Sequence, residues 1–298
     1  MRIRRIAVLI DGGFFIKRLS RVVEPQFCGT PKAIAQSARM MCKCHVRNLI
    51  GEHCHPKQSR WLDHVYRLFY YDAAPFIGTA QHPILNQQII FERTDQAKFS
   101  NELFSEIRQL RKFALRLGKT TSDGEWNIKD PKVTKRLLRL RNWVKVLDAA
   151  VEQANNGTVP APLLKEESLQ VKNIAEALRG LKPEDVRLGI HQKGVDMRIG
   201  IDITTLTLKK QVDTIILVTG DSDFVPAAKV ARREGVEFLL DPMWQSVNDD
   251  LQEHIDGVVS AFHKTPGHTK MASFDEAEGE DEPSGAEMSD NSDEDLEQ

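Results

Sequence analysis

The chain has 298 residues, with 41 Lys and Arg against 43 Asp and Glu, for a formal net charge of -2. That length allows one large domain or two ordinary ones, and 41% hydrophobic residues suffice for a sizeable core. No apolar run approaches the roughly 20 residues needed to span a bilayer, which excludes a membrane-spanning helix. Four cysteines at irregular spacing fit a reducing compartment better than a disulfide framework.

The opening MRIRRIAVLIDGG is basic and then apolar, like a signal peptide. Its apolar run is short, holds an acid and leads to no small-residue cleavage site. It reads instead as a first strand, Ile6 to Ile10, and the protein as cytoplasmic. Asp11 stands at that strand's carboxyl end, and Gly12-Gly13 allow a sharp turn behind it. Phe14, Phe15, Ile16 and Leu19 then suggest a helix packed on a sheet. Between Gln36 and Gln58, Cys42, Cys44, His45, His53, Cys54 and His55 have the donor types of a zinc site but lack a paired C-x2-C spacing. Ser37 to Ile50 reads as helix, so core cysteines with surface histidines outweigh a structural metal. His64 to Tyr71 alternates and is aromatic and β-branched, a second strand that ends at Asp72. Asp72 reads as a loop cap rather than a peripheral acid of a site.

Ile89 to Leu110 has helical spacing, and Phe113 to Leu117 reads as a third strand closed by Gly118, with a polar loop at 120–124. Val133, Leu137, Leu140, Val144, Leu147 and Val151 recur at spacings of four and three, one apolar stripe on a long helix. Arg108 to Lys145 holds 12 Lys and Arg against three acids, with Trp126 and Trp143 interleaved. A solvated face over core tryptophans and an RNA-backbone groove wall, with Arg136 and Arg139 as contacts, both fit this pattern. Lys165 to Arg179 is a further helix, so residues 119–180 read as a helical insertion. Val186 to Ile190 is a short strand, and a helix starts after Gly194 with Asp196 in its first turn. Asp202, six residues on and roughly 240° round the helix, faces elsewhere.

The stretch VDTIILVTGDSDFVPAAKVARREGVEFLL carries the chemistry. Ile215 to Val218 is a continuous apolar run, as in a strand buried on both faces of a parallel sheet. Asp221 and Asp223 follow at once, with Asp223 read as the N-cap of a helix whose first turn tolerates Pro226. Carboxylates at a strand's carboxyl end sit where open α/β sheets keep their sites, and crowding them is costly without a cation. A metal site follows from that. Val236 to Leu240 forms one more strand, Val247 to Phe262 reads as a final helix, and residues 263–298 as a disordered acidic tail. From Asp275 to Gln298 there are 12 acids and no Lys or Arg, which leaves the body 31 acids against 41 basic residues, about +10. A basic body suits a polyanion.

IAVLIDGG, KGVD and ILVTGDSDFVP, in that order, resemble the NYN domain of the PIN-like nucleases in its LabA-like form, as do FYYDAAP and FALRLG. The resemblance covers residues 1–262 and is weakest over 119–180. It implies a three-layer α/β/α fold with a mainly parallel sheet, and Mg²⁺ or Mn²⁺ held by Asp11, Asp196, Asp221 and Asp223 for RNA cleavage. Thr219 and Ser222 are candidates to orient water or an acid, and Lys193 to reach the scissile phosphate. Where many relatives carry Asn shortly after the first Asp, this chain has Phe14 and Phe15. A catalytically weak RNA-binding protein of the same fold is the alternative. A small-phosphoester phosphatase fits less well, since its nucleophilic Asp is followed two residues on by a second acid, not by Gly12-Gly13. The expected substrate is single-stranded RNA, and a homo-oligomer is compatible with the sequence. If the acidic tail mimics RNA on the basic body, truncation after about residue 270 will raise RNA affinity at low salt, as read by fluorescence anisotropy. Unchanged affinity would leave the tail a solubilising extension.

Overall fold

Strand β1 (Ile6–Asp11) is the pivot of the molecule: its first five residues are fully buried, and it pairs in parallel on both sides. The computed structural model describes residues 3–51, 60–142, 144–157 and 165–262. From β1 the chain runs through α1 (Gly12–Val22) and α2 (Pro31–Ile50) to β2 (Val65–Ala73). A small antiparallel hairpin of β3 (Thr79–Gln81) and β4 (Gln88–Ile90) precedes α3 (Asp95–Gln109) and β5 (Phe113–Ile128). Next come α4 (Pro131–Leu138), α5 (Val144–Asn155) and α6 (Lys165–Arg179), then β6 (Val186–Lys193) and α7 (Val195–Leu208). The chain closes with β7 (Thr214–Val218), α8 (Val225–Arg233), β8 (Glu237–Asp241), α9 (Asp249–Gln252) and β9 (Gly257–Val258).

Among the described residues the main sheet has the order β6-β5-β2-β1-β7-β8-β9, parallel throughout except for β5 against β6. The alternation of β1 decides the layers. Ile6, Val8 and Ile10 pack with residues of α1, α2 and α3 on one face, and Ala7 and Leu9 with residues of α7 and α8 on the other. The result is the expected mixed α/β fold with a mostly parallel central sheet. Because β2 lies on one side of β1 and β7 on the other, the strand order reverses between β1 and β7. Such a switch point opens a crevice beyond the carboxyl ends of the strands.

Several expectations change. Helix α1 begins at Gly12 itself, and neither Gly12 nor Gly13 has a positive φ. Gly12 is required by close approach instead: a Cβ there would stand 2.6 Å from both the Tyr70 ring and the Tyr71 carbonyl oxygen. The third strand does not stop at Gly118. It runs on through the expected polar loop to Ile128, because 119–128 finds a partner in β6 and forms a twisted antiparallel ribbon. The helical insertion is thus confined to α4–α6 at the ribbon's tip. The single long helix over 133–151 is broken by a 3-10 turn at Arg139–Asn142, while Lys165–Arg179 is helical as expected. In place of a final helix over 247–262 there is one turn, α9, and the edge strand β9, whose addition to β8 satisfies backbone groups a helix would satisfy internally.

Cys42 is core, as expected, but His45 is not on the surface. It is buried and its Nε2 lies 2.7 Å from the equally buried Asp241 carboxylate. His53, Cys54 and His55, like the acidic tail and Trp143, lie outside the described residues. Among those residues Cys28, Cys42 and Cys44 are free thiols, and no helix is long and apolar enough to cross a membrane. Gly12→Ala will overpack the α1–β2 contact and cost about 1–3 kcal/mol. Gly13→Ala, whose nearest added contact is 3.6 Å away, will be neutral or stabilising. Urea unfolding of the two variants checks both.

Candidate active site

The crevice at the β1/β7 switch point is an open cavity of about 900 Å³. Three acids reach it from three separate elements: Asp11 from the end of β1, Asp196 from the first turn of α7, and Asp221 from the loop after β7. Thr219 joins two of them. Its buried hydroxyl donates to Asp11 Oδ2 at 3.3 Å and accepts from the Asp221 N–H at 3.3 Å. Each of these acids also holds backbone. Asp11 Oδ1 accepts from the Phe14 N–H at 3.1 Å and caps α1. Asp221 Oδ1 accepts from the Asp223 N–H at 3.0 Å and caps the 3-10 turn Ser222–Phe224. The cap is therefore Asp221, not Asp223, because that extra turn delays α8 until Val225.

Of the residues singled out from sequence, the cavity brings together Asp11, Asp196, Thr219, Asp221 and Ser222. Asp223 stands apart, in an adjoining apolar groove between α7 and α8 that Asp196 also borders. Lys193 does not line the cavity; its neighbour Gln192 does. Arg136 and Arg139 line a different cavity, against α6, among Asn173, Ile174 and Glu176. Trp126 sits on β5 against the His82 ring, 4.9 Å between centroids. Asp202 does not line the cavity. It accepts from the Tyr71 hydroxyl at 2.8 Å and lies 3.5 Å from Arg116.

Two sets of cavity residues escaped the sequence reading. One is basic: Lys17, Arg18 and Arg21 on α1. The other is the loop Gln245–Asp249. That loop follows a turn in which Met243 and Trp244 both have positive φ. It is held by Asp241 accepting from the Met243 N–H at 2.8 Å, by Arg18 donating to the Met243 carbonyl at 2.7 Å, and by the Trp244 indole N–H donating to Phe262 O at 2.8 Å. The glycine of GDSDF belongs to the same packing. A Cβ on Gly220 would approach the Gln245 amide to 2.7 Å and the Phe14 ring to 2.8 Å. Only the helical angles of α1 hinted at the basic set, and nothing in sequence pointed to the loop.

The carboxylates repel one another. Burial pushes the Asp11 carboxyl up, the bonds from Phe14 and Thr219 pull it down, and the charges of Asp196 and Asp221 push it up again. Asp196 is raised by burial and then by Asp221 and Asp223. A buried neighbour adds to the crowd. Asp72, at the end of β2, accepts from the Ala73 N–H at 2.7 Å, and burial, followed by the Asp11 charge, raises it to about 6. Carboxylate oxygens are hard donors suited to Mg²⁺ or Mn²⁺. Among the described residues no group of three or more His, Cys, Asp or Glu converges tightly enough to form a ready-made ligand cage.

Residues 135–261 match the family model described as the NYN domain. Such domains belong to the PIN-like nuclease superfamily. The matched stretch includes KGVD and GDSDF, hence Asp196, Asp221 and Asp223. Asp11 precedes it, on a strand that lies in the middle of the same sheet. No curated protein matches the chain. A crystal structure of a protein of unknown function from Vibrio parahaemolyticus aligns over 87% of this chain and 95% of its own, at 13% identity and a TM-score of 0.32. A likeness that low has no bearing on the NYN fold.

Ionising Asp72 in the fold is costly, and the cost is absent in the unfolded chain. It is therefore nil below the ordinary carboxyl value of 3.8, accrues as pH rises to about 6, and is constant above. Asp72→Asn will be more stable than wild type at pH 7 in EDTA, by on the order of 3 kcal/mol, and the gap will close as pH falls from 6 to 4. Urea unfolding across that range measures it.

Proposed function

We propose that this NYN protein is a metal-dependent ribonuclease that hydrolyses single-stranded RNA in the cytoplasm. The observation that carries the reading is the convergence of Asp11, Asp196 and Asp221 on one cavity at the switch point. Their like charges crowd there, and no cation figures among the charges acting on Asp11 or Asp196. The NYN family is generally ribonucleolytic, which makes RNA the natural polyanion.

Asp11, Asp196 and Asp221 would hold Mg²⁺ or Mn²⁺, with Asp223 available from the rim. Their hard carboxylate oxygens would suit either ion. When bound, it supplies a more acidic water and neutralises charge on the leaving oxygen. The chain's own residues do the positioning. Thr219 fixes the orientation of Asp11 and the backbone of Asp221 together, so the two carboxylates keep one spacing. The Phe14 N–H holds Oδ1 of Asp11 and the Thr219 hydroxyl holds Oδ2, so the plane of the carboxylate is fixed from both ends. Ser222, half-buried on the same wall, offers a hydroxyl to water or phosphate.

Phe14 favours a second reading. Its ring lines the cavity against Gly220, in the stretch where the resemblance implies Asn in many relatives, whereas Phe15 is simply core. A catalytically weak RNA-binding protein would bind RNA equally well in EDTA and never cleave it. On the first reading, Asp11→Asn and Asp221→Asn will fold normally and lose cleavage by more than about 100-fold. Thr219→Val will lose roughly 10–100-fold, the cost typical of removing a group that orients a ligand. A labelled-RNA assay with a Mg²⁺, Mn²⁺ and EDTA panel decides; full activity in both Asn variants would refute the metal mechanism.

A further inference from the structure

We propose that Lys17, Arg18 and Arg21 of α1 form a phosphate-binding subsite that grips the RNA strand beside the carboxylate centre. The subsite rests on the ribonuclease reading and adds to it the wall along which the substrate runs. On an ideal helix these three side chains fall within about 100° of arc, and Lys17 and Arg21 are one turn apart, about 6 Å along the axis. The opposite face of α1 is fixed by burial of Phe15, Leu19 and Val22 against the sheet. The cationic face is left on the outer side of the helix, where it lines the cavity that begins at the Asp11 cap.

Three observations separate this from an ordinary solvated helix face. First, the cations are uncompensated among the described residues: Lys17 and Arg21 make no ion pair, and none of the three figures among the charges acting on Asp11 or Asp196. Second, Arg18 is fastened. One guanidinium nitrogen donates to the Met243 carbonyl, while its Nε is buried without a partner. Burial, and then the Arg21 charge, lower its affinity for its proton. Third, the facing wall is mostly neutral: Gln192, Gln245, Ser246 and Asn248 offer amides and a hydroxyl, and only Asp249 is charged. Cations thus lie on one side of the cavity and carboxylates at its head. A phosphodiester strand matches that order, with its scissile phosphate at the acids and the next phosphates on α1.

The test uses the full chain and a fluorescein-labelled single-stranded oligoribonucleotide, with anisotropy titrated over salt in EDTA so that nothing is cleaved. Each phosphate contact to a single strand contributes about 0.7 to the slope of log affinity against log salt. Lys17→Gln/Arg21→Gln will lower that slope by about 1.4 and, in Mg²⁺, raise KM while leaving kcat within about twofold. Lys209→Gln/Lys229→Gln makes the same charge change at exposed positions outside the cavity and will leave the slope unaltered. An unchanged slope in the α1 variant, with wild type binding and cleaving RNA, overturns the subsite alone. A wild-type protein that neither binds nor cleaves RNA overturns the ribonuclease reading, and the subsite with it.

Discussion

The hydrogen-bond bridge through Thr219 is the contact on which the site depends. It spans the gap between β1 and β7, the one place in the sheet where the strand order reverses, and ties Asp11 to the backbone that presents Asp221. Neither strand alone can place two acids at a fixed spacing. Parallel pairing brings the strand ends level, the reversal keeps the following segments from covering them, and the threonine hydroxyl, buried with both lone-pair and proton used, removes the remaining freedom. The acids then cap the elements that follow them. Their backbone duties hold them in place against their mutual repulsion.

Much of this was legible in the residues. Buried parallel strands announce themselves as unbroken apolar runs, so β1, β7 and β8 stood out, and with the first two the acids that follow them. Helix angles correctly placed Asp202 away from the site. The failures share a cause: partners distant in sequence. The stretch 120–124 is polar and Gly-containing, a loop by composition, yet pairing with 190–193 makes it strand. His45 has the look of a surface residue until Asp241, 196 positions away, is seen against it. Lys17 and Arg21 look like the wet face of an amphipathic helix. Arg136 and Arg139, in the densest basic stretch, were the more conspicuous choice and line another cavity. Local charge density is a poor guide to which cations share a cleft with a set of acids.

The two walls of the cavity are mechanically linked. Arg18 reaches from α1 to the Met243 carbonyl, inside a turn that Asp241 pins from below, and Asp241 is held in turn by His45 of α2. Helices on one face of the sheet thereby set the position of the Gln245–Asp249 loop on its rim. A buried His–carboxylate pair is costly to desolvate. Its place here is one where the chain must follow an unusual path, with two successive non-glycine residues at positive φ. The Phe14 ring and the Gln245 amide close over Gly220 from those same two walls, so the middle glycine of TGD is as constrained as the acids around it.

The ribbon of β5 and β6 has a different consequence. From Lys119 to Ile128 it runs past its last pairing with β2, and its partner β6 covers the same span in 8 residues, roughly 26 Å at the usual rise of a strand. Its foot is at Lys119 and Lys193, three residues from Asp196, and its tip carries α4–α6. The far part of the ribbon is braced against the body: the Trp126 ring lies 4.9 Å from the His82 ring, and His82 Nε2 is 3.1 Å from the Pro183 carbonyl oxygen, so β5 and the turn leading into β6 both meet the β3–β4 turn. At the foot the two strands pass so closely that a Cβ added to Gly118 would lie 2.7 Å from the Lys193 carbonyl oxygen, which ties the root of the ribbon to the segment that carries Asp196.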